Sequence, residues 1–408
     1  MARSAPATSS SFSVLIAGGG VAGLEAMLAF RELAGDLIDV ELVAPEHQFF
    51  YRPLAVAEPF DGPKVGHWEV ADLARSAGAR FTPGELRALE VEAHVAELRS
   101  GQRIRYDAVL LACGALPTAA VPGALTFRGP ADVERFRALL DDVKSGGAKR
   151  LVFAIPSGIV WPLPLYELAL QTSTELEREG RDASLAIVTS EPAPLAIFGR
   201  GASETVHDLL RKCGIAVHAS AYPTEARDGL LKCMPAREVA ADHVLALPRL
   251  RGPEIEGVPR DRNGFLRTDE HGRVTGAADV YAAGDLTAFP IKQGGLAAQQ
   301  ADAAAETIAA AAGAGIEPRP FQPMLRALLL TGGRPTFLQI ELGNGHGETS
   351  AASEKPLWPE PGKIVGRRLA PFLAELGGLD LSPEPQEADV LRIEVDRAAL
   401  HELKWPHA

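Results

Sequence analysis

The 408-residue sequence predicts an α/β protein built from two three-layer, doubly wound units and a small C-terminal α+β domain. Three observations carry this reading. A strand, glycine turn, helix and strand follow one another from Val14, and a second pattern of the same length starts at Leu151. Far downstream, the buried run Asp279 to Asp285 is one more strand, and it leads through a loop into an Ala-rich helix. Hydrophobic residues make up 46% and charged residues 23%, the balance of a folded chain rather than a disordered one. The net charge of −12, with no long basic run, argues against nucleic acid, whose binding rests on neutralising phosphates.

The first unit opens on VLIA (Val14 to Ala17), a continuous apolar run suited to a strand covered on both faces. GGGVAG follows (Gly18, Gly19, Gly20, Val21, Ala22, Gly23), then a helix with Leu24, Leu28 and Leu33 on one face, then the strand Val40 to Ala44. Gly18, Gly20 and Gly23 occupy the three positions of a dinucleotide-binding turn. The first permits the tight turn, the second lets backbone approach a pyrophosphate, and the third lets helix pack on strand. The helix amino end adds free N–H groups and a partial positive charge for phosphate. Glu46, just past the second strand, is placed either to reach a ribose or to face solvent.

Residues 79 to 114 read as alternating short strands. In the second unit LVFAI, a helix within PSGIVWPLPLYELALQ, and the strand SLAIVTSEP repeat the first architecture with different turn chemistry. A helix from about Gly295 to Ala312 is stopped by Gly313, and Pro318, Pro320 and Pro323 mark a linker. The expected organisation is a loose tail (1–12), the first Rossmann-like domain (13–122 and 253–316), a second Rossmann-like domain (123–252) and the C-terminal domain (317–408). Gly343 to Pro361 reads as a mobile loop, and Lys363 to Leu376 as a basic, then apolar helix. That helix suits closure of the first domain or a homodimer contact better than contact with a membrane surface. The run Val14 to Phe30 is broken by four glycines and Glu25, so no membrane span is expected, and a cytoplasmic location is. None of the ten histidines forms a short metal-binding pair, and no metal is expected.

The turn at Gly18, the segment LLACG (Leu110 to Gly114) followed by Pro117, and the strand end Gly284-Asp285 resemble, in order, three motifs of the pyridine nucleotide-disulfide oxidoreductase superfamily. Cys113 stands where that family has threonine. The resemblance implies FAD as cofactor, an FAD-binding domain interrupted by the second unit, and a ribityl-binding role for Asp285. It further implies that the helix near Gly295 aims its amino end at the flavin pyrimidine ring, with Lys292 either beside the reduced ring or on a surface loop. The expected cofactor-binding set is Gly18, Gly19, Gly20, Val21, Ala22, Gly23, Glu46, Arg52, Pro53, Leu86, Ala112, Cys113, Gly114, Gly284, Asp285, Lys292, Gln293, Gly294, Gly295 and Leu296.

Within the superfamily, Pro164, Tyr166 and Glu167, the run Thr189 to Pro192, and Phe198-Gly199 resemble sulfide:quinone oxidoreductases and flavocytochrome c sulfide dehydrogenases. PIKQGG also resembles a loop on the quinone side of type II NADH dehydrogenases. By this resemblance Glu167 is the candidate for proton transfer, with a helix-surface glutamate as the alternative, and Lys292 is the second catalytic candidate. Two departures follow. Trp161 occupies the stretch where a sulfur-carrying cysteine would lie, and no cysteine follows Cys233. Cys113, Cys213 and Cys233 read as inert packed thiols, so flavin chemistry without a redox-active disulfide is expected. In the second unit Pro156, Pro162 and Pro164 crowd the turn and remove donors, which argues against NAD(P)H there and leaves Trp161 and Tyr166 to line the flavin's other face. Three readings remain: a quinone-reducing flavoprotein, an NAD(P)H-dependent reductase, and a flavin-binding scaffold without turnover.

Overall fold

The computed structural model describes residues 11–60, 62, 64–159, 161–342, 349–358, 363, 366–377 and 392–394. The expected tail therefore lies almost wholly outside the described residues. The first sheet is parallel, in the spatial order Val280–Ala282, Ala108–Leu111, Phe12–Ala17, Ile38–Ala44, Arg80–Pro83. Strands from both sides of the second unit thus pair in one sheet. Alternation along Phe12–Ala17 sends Val14 and Ile16 to one face, against the helices Val21–Leu33 and Gly294–Ala311. Leu15 and Ala17 point to the other face, against an antiparallel meander of Leu86–Glu90, Val95–Leu98 and Arg103–Arg105.

The second unit repeats this with the same parity. Its parallel sheet runs Leu125–Thr126, His243–Ala246, Arg150–Ile155, Ser184–Thr189, Ala216–His218. Leu151, Phe153 and Ile155 face helices, while Val152 and Ala154 face the meander Tyr222–Arg227, Leu230–Met234, Arg237–Ala240. The two chain crossings between units, Leu116–Thr118 and Arg249–Arg251, pair antiparallel.

The C-terminal part is an antiparallel sheet of Met324–Leu329, Thr336–Glu341, Thr349–Ser353 and Arg392–Glu394. Leu325, Ala327, Leu329, Leu338 and Ile340 join the helix-side core of the second unit. The expected loop 343–361 is therefore corrected in part. Thr349–Ser353 is a strand, because Ser350 and Ala352 find partners in Thr336–Glu341, while 343–348 and 359–361 lie outside the described residues.

The expected helix over Lys363 to Leu376 is also shorter, Leu369–Glu375. It closes the first unit. Leu369 and Leu373 enter the core beside the Val21–Leu33 helix, and the fully buried Glu25 of that helix accepts the N–H groups of Arg368 (2.7 Å) and Leu369 (2.8 Å). A carboxylate thus caps a helix from 343 residues away. The Arg368 guanidinium binds Glu32 and Asp302 at the same seam.

Burial first, and Asp302 second, push the Glu25 carboxyl up from 4.5 to about 7. Between those values the folded state holds a proton that the unfolded state has released, so folding stability falls as pH rises from 4.5 toward 7. Denaturant unfolding across that range is expected to show a shallower pH slope for Glu25→Gln than for the unchanged protein.

Candidate functional site

The site lies at the carboxyl ends of the first sheet. Gly18 has φ +121, and a Cβ on it would meet the Ala112 carbonyl oxygen at 2.2 Å, so two strand ends are pressed together there. A Cβ on Gly23 would lie 1.9 Å from the Gly18 oxygen, which closes the turn onto the helix. Gly20 differs from both. It is exposed, its φ of −87 suits any residue, and no described residue lies within 4 Å of its missing Cβ. Protein packing therefore does not require glycine at 20; the open space fits a group approaching the backbone. Gly20 is the N-cap of Val21–Leu33, with no side-chain cap and no acid in the first turn, so the leading N–H groups and the helix dipole remain available to phosphate. Gly19 packs its Cα side near the Ala44 methyl group.

Neighbouring loops complete the cleft. Glu46 is exposed just beyond Ile38–Ala44. Arg52 is exposed and Pro53 half-buried at the start of the short helix Arg52–Val56. Gly114 has φ +69. The Cys113 thiol donates to the Ala17 carbonyl at 3.3 Å, and burial, reinforced by the charge of Glu46, pushes it up to about 12. It holds two strand ends together and is no thiolate at neutral pH. Leu86 is buried in the core between sheet and meander, so its side chain is support beneath the cleft rather than a wall of it.

Asp285 follows Gly284 (φ +77) at the end of the Val280–Ala282 strand. Burial raises its carboxyl, opposed by the charges of Lys292 and Arg52, so these three sequence-predicted residues share one environment. Lys292 is buried (8% exposed), not a surface lysine. Its ammonium donates to the Thr287 carbonyl, stands 4.0 Å over the Phe265 ring, and is pulled down to about 8 by burial, against Asp285 and Asp261.

The Gln293 amide is spent structurally: Oε1 accepts the Leu296 N–H (2.8 Å) and Nε2 donates to the Arg326 carbonyl (3.1 Å). This corrects the expectation for Leu296, whose N–H caps its own helix, and leaves those of Gly294 and Gly295 as open donors.

Glu167 is buried, not on a helix surface. Oε1 binds the Lys363 ammonium and the Leu330 N–H (2.9 Å), while Oε2 has no partner among the described residues. Burial raises the carboxyl and Lys363 opposes it. Breaking such a pair by removing one member costs about 3–5 kcal/mol. One turn on, Gln171 donates to the Val56 carbonyl (3.0 Å), tying this helix, Leu163–Arg178, to the short helix that begins at Arg52.

Tyr166 corrects another expectation: it is fully buried and cannot line a flavin. Its hydroxyl donates to Glu191 (2.7 Å), which also accepts from Thr189 (2.9 Å); burial pushes the Glu191 carboxyl up to about 7. Trp161 is half-buried against Phe198, with ring centroids 6.0 Å apart. The Leu163–Arg178 helix has Pro162 as N-cap and Pro164 in its first turn, and Leu165 N–H bonds the Pro162 carbonyl, so few donors face a phosphate. Gly158 (φ +80) keeps open space around its Cα.

The family described as pyridine nucleotide-disulphide oxidoreductase matches residues 12–311. The chain belongs to that family. It is an FAD-dependent oxidoreductase, and the open cradle at Gly20 and the uncapped helix beside it fit the FAD pyrophosphate. The ferredoxin–NAD(+) reductase subunit of the benzene 1,2-dioxygenase system of Pseudomonas putida is 24% identical over 303 residues, 69% of this chain and 68% of that protein. The sulfide-quinone reductase of Aquifex aeolicus is 24% identical over 280 residues, 61% of each protein. The crystal structure of the sulfide:quinone oxidoreductase of that bacterium superposes with a TM-score of 0.77 at 18% identity, across 84% of this chain and 87% of that one, a likeness of fold.

Among the described residues no group of three His, Cys, Asp or Glu could hold a metal, and no helix is long and apolar enough to cross a membrane. Sequence reasoning missed Lys363 and Gln300. Lys363 lies 196 positions from Glu167, so no local pattern links them. Gln300, whose Oε1 accepts the Gly284 N–H at 2.8 Å, sits two turns inside an Ala-rich helix, where a glutamine among alanines was the available signal.

The three glycines of the turn separate by experiment. Gly20→Ala is expected to leave the unfolding midpoint of the FAD-free protein unchanged and to weaken FAD retention, read from flavin absorbance. Gly23→Ala is expected to lose both.

Proposed function

We propose that this flavoprotein passes electrons through FAD to a quinone, without a redox-active disulfide. When bound, FAD supplies the redox chemistry. The observation that carries the reading is the proline-filled start of the Leu163–Arg178 helix, which offers little to a nicotinamide dinucleotide at the second unit. Glu191, at the strand end where a ribose-binding acid would stand, is engaged by Tyr166 and Thr189. All three thiols are free and raised by burial, Cys113 to about 12, which disfavours thiolate chemistry.

In this reading Asp285 orients the cofactor, and the Gly294 and Gly295 N–H groups with the Lys292 ammonium stabilise negative charge arriving on it. Glu167 holds a proton or a charge at a dry position, and Lys363 is its positioning residue. A second reading, NAD(P)H-dependent reduction, draws on the names of relatives such as the Pseudomonas putida ferredoxin–NAD(+) reductase and on the open space at Gly158.

The two readings part on an anaerobic stopped-flow experiment. Chemically reduced enzyme is expected to be reoxidised rapidly by a soluble quinone, and NADH and NADPH to leave the oxidised flavin band unbleached on that timescale. Bleaching by a nicotinamide together with quinone-independent reoxidation rejects the proposal.

Lys292 sets a pH dependence. Its lowered value of about 8 means the ammonium is charged below that pH and neutral above it. The rate of flavin reduction is therefore expected to fall as pH rises through about 8. Lys292→Gln should lower the neutral-pH rate on the order of 100-fold and abolish that limb of the profile.

A further inference from the structure

A cleft of about 510 Å³ opens between the 266–275 hairpin, the 288–290 loop and the middle of the Gly294–Ala311 helix, and none of the predicted cofactor-binding residues lines it. Its size falls within the roughly 300–1,000 Å³ of small-molecule sites. Gly272 (φ +76) seats the hairpin on the helix, since a Cβ there would meet the Ala304 methyl at 2.8 Å.

One wall is apolar: Phe289 and Phe321 stand edge to face at 5.2 Å, flanked by Pro290. The polar end is held ready. Gln300 is 7% exposed, and its Oε1 is fixed by the Gly284 N–H (2.8 Å), which leaves the amide nitrogen as a donor. Arg267, exposed on the lining, forms no ion pair among the described residues. The Asp269 carboxylate is occupied by the His271 and Arg273 N–H groups (2.9 Å each), whereas Glu270 is exposed on the lining as a negative charge.

We infer that this cleft binds a small monocarboxylate with an aromatic or branched apolar body. Arg267 and the Gln300 amide take the carboxylate, the two phenylalanines take the body, and Glu270 repels a second negative charge.

The inference is independent of the electron acceptor, because binding is read directly. Isothermal titration of the FAD-loaded protein with benzoate is expected to saturate. Arg267→Ala should weaken binding about tenfold or more. Arg267→Lys, which keeps the charge and loses the fork, should bind with intermediate affinity. Arg262→Ala, which removes an exposed arginine outside the cleft, should leave binding unchanged. Phthalate, with its second carboxylate, should bind more weakly than benzoate. Absence of saturable benzoate binding, binding indifferent to both Arg267 variants, or phthalate binding as tightly as benzoate overturns the inference.

Discussion

The close approach of Gly18 to the Ala112 carbonyl is the constraint on which the cofactor side of the molecule depends. A side chain at 18 would overlap that carbonyl at 2.2 Å, and the ends of the central strands would have to part. Because they do not, the Gly18 N–H reaches the Val43 carbonyl at 2.7 Å and the Cys113 thiol reaches the Ala17 carbonyl. Three strand ends are thereby fixed under the amino terminus of the first helix. The open backbone surface at Gly20 follows from that arrangement, and an anion placed there meets aligned dipoles that need no reorganisation.

The second organising feature is charge held in a poor solvent. Asp285 and Lys292 come together where burial acts against both ionised forms, raising the acid and lowering the lysine, while the charge of exposed Arg52 opposes the shift of Asp285. Glu167 and Lys363 show the same opposition between desolvation and pairing. At the Glu25–Arg368 seam it also joins a C-terminal helix to the first unit. Such groups add little net stability, but they specify which elements meet, because any other arrangement strands a charge.

The second unit keeps the architecture of the first and changes its turn. Parity along Arg150–Ile155 matches that along Phe12–Ala17, so both sheets are covered by helices on one side and a meander on the other. The difference is local. Prolines replace donors at the Leu163–Arg178 helix start, and Tyr166 bonds Glu191 inside the protein. A motif legible as family resemblance can thus be an internal strut.

The sequence by itself determined the two three-layer units and the glycine turn. These rest on short-range signals: apolar periodicity along a strand and residue types whose backbone demands are local. The split of the first sheet entered only through the resemblance in motif order and is made by Val280–Ala282 pairing with Val109–Leu111. Motif order also proposed Asp285 and Lys292 for one site, and the two share one environment. Only the tertiary structure decided which polar groups are consumed. Leu296 caps its own helix through Gln293, Tyr166 points inward to Glu191, and Glu167 meets a lysine 196 positions away. Partners so distant leave no periodic trace in the chain, because which buried donor finds which acceptor is settled by packing of separate elements rather than by spacing along one.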